Sequence, residues 1–588
     1  MRNIQLNRNN NNNTQTGQSE KIFSRANSLR FFLFLAGFLL IGRLFYVQII
    51  RHDYYQAQAL AEHIKKYQIP SKRGLIYAMD GDKQVPIVLN EERYEIYVDP
   101  KFVEDPKNAS KQLSGALGID NKQVLDIISN KDTRYAIVAK KVTKDQQAKV
   151  KELKIKGVGS RQVDTRTYPQ GQFASQVLGF VNDDQVGQYG VEGSLNKDLS
   201  GKTGQLKAVT DVNGVPLAVN NDNIQTKPEN GKDLKMTIDI GMQKITEDAL
   251  ADAITRTKAD KATAVMLDAN TGEVKAMANL PTYNPWEYQT VKDGSIFNNL
   301  VVTGAWEPGS VMKPIMLSTA FNEGTLNTGS TFYDSMSVQV DDRKIGNSYP
   351  WGAMTMSMQD IITKSLNTGA VFILKSLGGG DITDKARSTW YDYLTKHYKF
   401  NEITGIEQTG ESPGSVIGPN EGYGSRVRYA NMSFGQGLSV TPIQLASAYA
   451  TLVNGGTVYK PTLVKSIGDT NNSPKVVSNG AITPQVSGEI KNILKTALET
   501  NNKDAVRAGY ELGAKTGTAE IADSNGQYKK DEYNGVYVGF ISGENKTYIL
   551  LVRLDEPKSA RYASSEAATT WTQISNKLID SYSIQPKK

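Results

Sequence analysis

The apolar and polar positions change period several times along the chain, and each change predicts a different element. The opening "MRNIQLNRNNNNNTQTGQSE" is polar and asparagine-rich, with too little apolar surface to offset the entropy of ordering, so residues 1–30 are expected to form a disordered tail. Residues 31–50, "FFLFLAGFLLIGRLFYVQII", form an apolar stretch long enough to cross about 30 Å of hydrocarbon as a helix. From 51 to about 235 short alternating runs such as "YEIYVDP" mix with polar turns and helical patches. The period then turns helical in "TIDIGMQKITEDALADAI", where Met242, Ile245, Ala249 and Ile254 are spaced to line one face. A second amphipathic helix is predicted after Pro484, with Ile490, Ile493, Leu494, Ala497 and Leu498 at i, i+3, i+4, i+7 and i+8. Three strands follow, through "LGAKTGTAE", "GVYVGFI" and "TYILLVRL", the last two joined as a hairpin across "SGENK". The pattern predicts an α/β fold, an antiparallel sheet flanked by helices. The boundaries it sets are a tail at 1–30, a membrane anchor at 31–50, a mixed α+β module at 51–235 and a second domain at 236–588.

Length agrees with more than one module, because single cores rarely grow beyond about 250–300 residues. The net charge of +7 is spread over 68 basic and 61 acidic residues without a basic run, so no nucleic-acid partner is expected. Cysteine is absent, which excludes thiol catalysis, disulfides and cysteine-bound zinc. The three histidines, His52, His63 and His397, are too scattered for an imidazole metal site, and His397 in "LTKHYKF" is expected on a helix surface. No metal or cofactor is expected. Arg2, Arg8, Lys21, Arg25 and Arg30 precede the apolar stretch against one acid, Glu20, which favours a cytoplasmic N-terminus and an exported remainder. Arg43 lies near the far end, where it can snorkel. The "AQA" at 57–59 resembles a signal-peptidase site, but the stretch is too long for a cleavable signal and contains an arginine, so a retained anchor is expected.

Two sets of serine and lysine motifs compete for the chemistry. "EGSLNKDLSGKTG", residues 192–204, contains E-x-x-L-N, S-x-N, S-x-x-K and K-T-G together, but Ser194 would have to fill two serine roles at once, so a structural role is expected there. The second set is dispersed. "WEPGSVMKP" places Ser310 and Lys313 just after Pro308–Gly309, at the start of a helix, where an i, i+3 pair shares one face. Burial and a nearby cation lower a lysine pKa, which lets Lys313 accept the serine proton, and a helix N-terminus suits an oxyanion. "SLNTG" supplies Ser365 and Asn367, whose polar ends can face one cleft, and "AKTGTAE" puts Lys515, Thr516, Gly517 and Thr518 on a strand. Alternation sets Thr516 and Thr518 on one face, with Gly517 expected to admit a substrate backbone.

These motifs, with "KRGLIYAMDG" at 72–81, "TRTYPQGQFASQVLGFV" at 165–181, "YGVEGSLNKDLSGKTG" at 189–204, "VMLDANTGEVKAMANLPTYNP" at 265–285 and "SFGQGLSVTPIQLASAYATLVNGG" at 433–456, make the chain resemble the class B penicillin-binding proteins over nearly its whole length after the tail. That resemblance implies a monofunctional peptidoglycan D,D-transpeptidase, with residues 51–235 as a non-catalytic, dimerisation-type pedestal. Ser310 would attack the penultimate D-alanine carbonyl of a stem pentapeptide, with Lys313 as base. Ser365 and Lys515 would assist proton transfer, Asn367 would hold the peptide amide, and Thr516 and Thr518 would bind the substrate carboxylate. The backbone N–H groups of Ser310 and Thr518 would form the oxyanion hole. β-Lactams would acylate the same serine, and the partners implied are a polytopic membrane glycan polymerase and division proteins. A septal role is the reading taken, with an elongation-type paralogue or a penicillin-binding sensor or scaffold as alternatives. A β-lactamase would need an E-x-x-L-N between Asn367 and Lys515, and none occurs there. Ala78 and Met79 replace an Asp-Arg pair that many relatives carry.

Overall fold

The computed structural model describes residues 25–55, 64–69, 71–209, 224–422, 424–522, 528–558, 563–581 and 584–587. The expected tail up to residue 24, the "AQA" at 57–59 and His63 lie outside them. Two compact units divide the chain, one of residues 1–70 and 203–228, the other of 71–202 and 229–588.

In the first unit, helix Arg25–Phe45 runs into a wide turn at Tyr46–Ile50, so that Asn27–Ile50 forms a single apolar helix long enough to span a membrane. Its side chains are not packed on protein: Phe34, Phe38 and Ile41 are exposed. A helix apolar on all sides fits lipid rather than water. The Arg43 guanidinium rests over the Tyr46 ring. The same unit holds a three-stranded sheet, Ile64–Ile69, Gly204–Val209 and Ile224–Thr226.

In the second unit, a five-stranded sheet runs in the order Val274–Leu280, Lys261–Asp268, Thr547–Asp555, Tyr528–Ser542, Glu511–Ala522, with every pairing antiparallel. The three strands predicted from the C-terminal region are all present, and the hairpin closes from Ser542 to Thr547. Both faces are covered. Ala264, Met266, Leu550 and Val552 pack with Met242, Ala249 and Leu250 of helix Ile240–Thr257 and with Trp571 and Ile574 of helix Ala563–Asp580. Val265, Leu267, Ile549 and Leu551 point the other way, into a core shared with helices Lys313–Asn322, Pro442–Val453 and Pro484–Asn501. This period-2 division of each strand between two cores is what a three-layer α/β domain requires. The five apolar positions expected on the last of these helices are all buried.

A second sheet crosses the expected boundary at 235. Its order is Thr470–Asn471, Val464–Ile467, Leu234–Asp239, Ile76–Asp80, Lys83–Val98, Ala136–Val142, with Val158–Thr167 also pairing on Lys83–Val98. Strands from both sequence modules thus share one hydrogen-bonded ladder. His397, expected on a surface, is instead half-buried in a wide helical turn, stacked on Tyr393 with Nδ1 2.8 Å from the Ala481 carbonyl oxygen.

The stretch at 192–204 is structural. Glu192 is fully buried and accepts from Arg73 Nε at 2.6 Å and Arg166 Nε at 2.7 Å, while Asn196 Oδ1 accepts from Arg73 Nη1 at 2.8 Å. The Glu and Asn of E-x-x-L-N therefore grip one arginine, and Ser194 Oγ donates to the Glu407 carbonyl at 2.9 Å. Removing one partner of a buried ion pair leaves an uncompensated charge, here two guanidiniums. Glu192→Ala is expected to destabilise the full-length protein by about 3–5 kcal/mol, read as a fall in the urea midpoint in detergent solution; a change below about 1 kcal/mol would contradict the assignment.

Candidate active site

Three segments far apart in sequence meet around two buried amines. Ser310 sits in a tight 3-10 turn, Gly309–Met312, which leads straight into helix Lys313–Asn322, with Pro314 in its first turn. The turn is pinned from three sides. Trp306 exchanges both backbone hydrogen bonds with Val440 at 3.0 Å, Gly309 N–H donates to the Gly435 carbonyl at 3.0 Å, and the Tyr449 hydroxyl donates to the Val311 carbonyl at 2.8 Å. Gly309 and Gly435 both have positive φ, and a Cβ on Gly435 would collide with the Gly309 backbone. Glycine is required at both by conformation and by space.

Lys313 is fully buried on the first turn of its helix, and its Nζ lies 2.9 Å from Ser310 Oγ, 2.7 Å from the Ser365 carbonyl oxygen, 3.2 Å from Ser365 Oγ and 2.8 Å from Asn367 Oδ1. Ser365 adopts φ +58°, a left-handed conformation that costs a non-glycine residue about 1–3 kcal/mol. The strained residue turns both its oxygens onto one amine. Lys515, 3 % exposed on edge strand Glu511–Ala522, reaches the same hydroxyl from the other side, with Nζ 3.0 Å from Ser365 Oγ and 3.0 Å from the Thr516 carbonyl oxygen.

The two amines are no more than about 6 Å apart across Ser365 Oγ, and two full charges at that distance repel by roughly 3 kcal/mol at an effective dielectric of about 20. No carboxylate among the described residues hydrogen-bonds or ion-pairs with either. Burial, followed by the charge of Lys515, holds Lys313 well below the ordinary lysine range, and burial pulls Lys515 down to about 7. A neutral Lys313 has two N–H donors and one lone pair. The Ser365 carbonyl and Asn367 Oδ1 can only accept, so they take the two hydrogens and leave the lone pair for the Ser310 hydroxyl. The arrangement can therefore activate a serine for attack without histidine, carboxylate or metal.

On the edge strand, Lys515, Gly517 and Ala519 face inward while Thr516 is half-exposed and Thr518 exposed, so the two threonines share the open face as expected. Gly517 has a packing role as well: a Cβ there would lie 2.7 Å from Val536 Cγ1, 2.8 Å from the Pro308 carbonyl oxygen and 3.0 Å from Val311 Cγ1, so the glycine makes room for the Ser310 turn. Asn367 has both ends engaged, Oδ1 by Lys313 and Nδ2 by the Gly346 carbonyl at 3.0 Å, leaving one amide hydrogen for any ligand. Sequence reading missed Gly435, whose signal was the G-x-G of "SFGQG", and Tyr449, which gives none. Two cavities, of about 350 and 390 Å³, lie among residues of 89–93, 167–176, 244–251 and 277–286 and share no residue with this cluster.

The comparisons with known proteins converge on the same chemistry. Residues 262–579 match the penicillin binding protein transpeptidase domain and residues 68–236 the penicillin-binding protein dimerisation domain. Stage V sporulation protein D of Bacillus subtilis is 30% identical over 94% of this chain and 85% of its own, and peptidoglycan D,D-transpeptidase FtsI of Escherichia coli is 27% identical over 94% and 91%. The crystal structure of penicillin binding protein 2X from Streptococcus thermophilus superposes with a TM-score of 0.68 at 26% identity, covering 88% of this chain and 80% of that one. The chain belongs to the penicillin-binding protein transpeptidase family.

A lysine buried below its solution pKa makes the unfolded state the better proton binder, so stability rises with pH between the two values. For Lys515 that window runs from about 7 in the folded protein to 10.5 in the unfolded chain. Wild type is expected to gain stability relative to Lys515→Met across pH 7 to 10 and to show a constant deficit below 7, measured by urea unfolding at pH 6, 8 and 10. A difference independent of pH would show that Lys515 is buried without loss of its proton.

Proposed function

We propose that the chain is a serine D,D-transpeptidase that cross-links peptidoglycan stem peptides through an acyl-enzyme on Ser310. The observation that carries this reading is the 2.9 Å contact between Lys313 Nζ and Ser310 Oγ, with two further partners of the amine, the Ser365 carbonyl and Asn367 Oδ1, restricted to accepting. Ser310 Oγ attacks the carbonyl of the penultimate D-alanine of a stem pentapeptide as its proton passes to Lys313. The oxyanion is received by the N–H groups of Ser310 and Thr518, on a turn and a strand that Gly517 allows to pack closely. The C–N bond then breaks, and the terminal D-alanine leaves with a proton relayed through Ser365 between the two lysines. An amine from a second stem attacks the ester, forms the cross-link and returns the proton to Ser310. Thr516 and Thr518 on the open face, with the Lys515 charge behind them, suit the substrate carboxylate, and the free Asn367 hydrogen suits a peptide carbonyl. β-Lactams acylate the same serine. No cofactor takes part in these steps.

The module reading corrects the tail bound, since the anchor helix starts at Arg25 rather than after residue 30, and keeps 51–235 as pedestal and 236–588 as the catalytic domain. The anchor's N-terminus faces the cytoplasm and the rest is exported, supported by the basic residues ahead of the apolar helix. A septal role is supported by likeness to the FtsI transpeptidase. Its membrane partner is read as a polytopic glycan polymerase acting with other division proteins, because the described residues hold no second catalytic cluster for polymerising glycan.

Fluorescent penicillin added to the full-length protein in detergent should leave a long-lived adduct in wild type and in Ser194→Ala, and none in Ser310→Ala. Rapid loss of the wild-type adduct would indicate a hydrolase, and no adduct in folded wild type would remove the transpeptidase reading. Replacing residues 31–50 by an unrelated apolar helix should abolish co-purification with the polymerase; retention would place the contact elsewhere.

A further inference from the structure

We propose that Asp334 and Asn347 are positioning residues for the Ser310–Lys313 couple, acting through Asn367. The inference rests on the transpeptidase reading and adds to it the residues that aim the base.

Between the Lys313–Asn322 helix and Ser365 the chain forms two small antiparallel pairs, Thr331–Asp334 with Met354–Ser357 and Ser337–Val340 with Arg343–Gly346. Asp334 ends the first strand and is 1 % exposed, yet its partners are uncharged: Oδ1 accepts from Met336 N–H at 2.8 Å and Oδ2 from Asn347 Nδ2 at 2.7 Å. A buried carboxylate held only by N–H donors fixes the direction of each donor, because losing one leaves charge unsatisfied. With its amide hydrogens turned to Asp334, Asn347 presents Oδ1 to Thr368. That oxygen accepts from Thr368 N–H at 3.2 Å and from Thr368 Oγ1 at 3.1 Å. Thr368 lies in the first turn of helix Asn367–Leu377, where backbone N–H groups lack helical partners, so Asn347 acts as a cap supplied from another segment.

The neighbouring residue completes the clamp. The Gly346 carbonyl accepts from Asn367 Nδ2 at 3.0 Å, and this sets the amide's orientation. Flipping it would bring Asn367 Oδ1 against a carbonyl oxygen and an N–H₂ against the Lys313 amine. Asn367 Oδ1 therefore faces Lys313 Nζ at 2.8 Å and occupies one of its two hydrogens. If the 346–347 backbone relaxes away, Asn367 is free to turn, and the lone pair of Lys313 loses its aim at Ser310 Oγ. Asp334 and Asn347 touch neither Ser310 nor Lys313 in any hydrogen bond, so their effect passes entirely through residues 367 and 368.

The test measures acylation of the full-length protein by fluorescent penicillin over a range of concentrations, separating the dissociation constant from the acylation rate constant, alongside urea unfolding. Asn347→Ala and Asn347→Asp are each expected to lower the acylation rate constant by roughly ten- to a hundredfold, the scale of a small misalignment of reacting groups, with the dissociation constant changed less than about threefold. The exchanged pair Asp334→Asn with Asn347→Asp keeps the bonding pattern, since an amide at 334 donates to a carboxylate at 347 whose other oxygen still accepts from Thr368. Its rate should return to within about threefold of wild type. Single variants that acylate at the wild-type rate, or that lose stability while the folded fraction reacts normally, would overturn the proposal. An exchanged pair as slow as Asn347→Asp would do the same. Failure of wild type itself to acylate would overturn the transpeptidase reading and this inference with it, whereas normal wild-type acylation with unaffected single variants would overturn this inference alone.

Discussion

Two lysines buried around one serine hydroxyl, with no carboxylate among the described residues to neutralise either, set the terms for the rest of the fold. In water each amine would be protonated, and isolated buried ammonium groups are too costly to keep charged. The protein resolves this by holding Lys313 well below the ordinary lysine range and Lys515 at about 7, so that both give up a proton more readily than in water. Such an arrangement survives only where the surrounding core is stable enough to impose it. The two-faced sheet supplies that stability, because its strands bury Val265, Leu551 and Val538 on one side and Met266, Leu550 and Tyr537 on the other.

The same constraint accounts for the unusual backbone conformations at the site. Ser365 is left-handed, Gly309 and Gly435 carry positive φ, and all three lie at the points where separate segments must touch. Gly517 belongs with them for a spatial reason, since its missing side chain lets the edge strand press against Pro308 and Val311. An edge strand suits this position because one side of its backbone remains unpaired within the sheet. The site is thus assembled from loops and one strand edge, on elements whose cores hold them still.

Much of this was legible in the sequence, because period and motif are local properties. The 3.6-residue spacing from Ile490 to Leu498 and the three closing strands needed nothing beyond their own neighbours, and Ser310–Lys313 is an i, i+3 pair whose meeting is dictated by helix geometry. What sequence could not give were partners chosen by the tertiary fold. Asn347 is an ordinary loop asparagine until Thr368 is brought against it. His397 looks like a surface residue until Tyr393 and Ala481 enclose it. Gly517 also makes room for the Ser310 turn, a packing role that the motif alone does not show. Glu192 is the converse case, a tempting catalytic pattern whose spacing instead lets a glutamate and an asparagine hold Arg73 from two sides.

The boundary at 235 has a mechanical consequence that local pattern hides. Strand Leu234–Asp239 pairs in parallel with Ile76–Asp80 and antiparallel with Val464–Ile467, so residues from upstream and downstream of the boundary are ladder neighbours. Side chains reinforce the join: Gln408 Nε2 donates to the Val177 carbonyl at 3.0 Å, Ala174 N–H donates to Glu247 at 2.7 Å, and Phe180 stacks on Tyr288 at 4.2 Å between ring centres. Rotating residues 71–202 against the catalytic elements would break ladder hydrogen bonds and the Gln408–Val177 and Ala174–Glu247 hydrogen bonds at the same time. Residues 71–202 and the catalytic elements are therefore not independent bodies joined by a hinge.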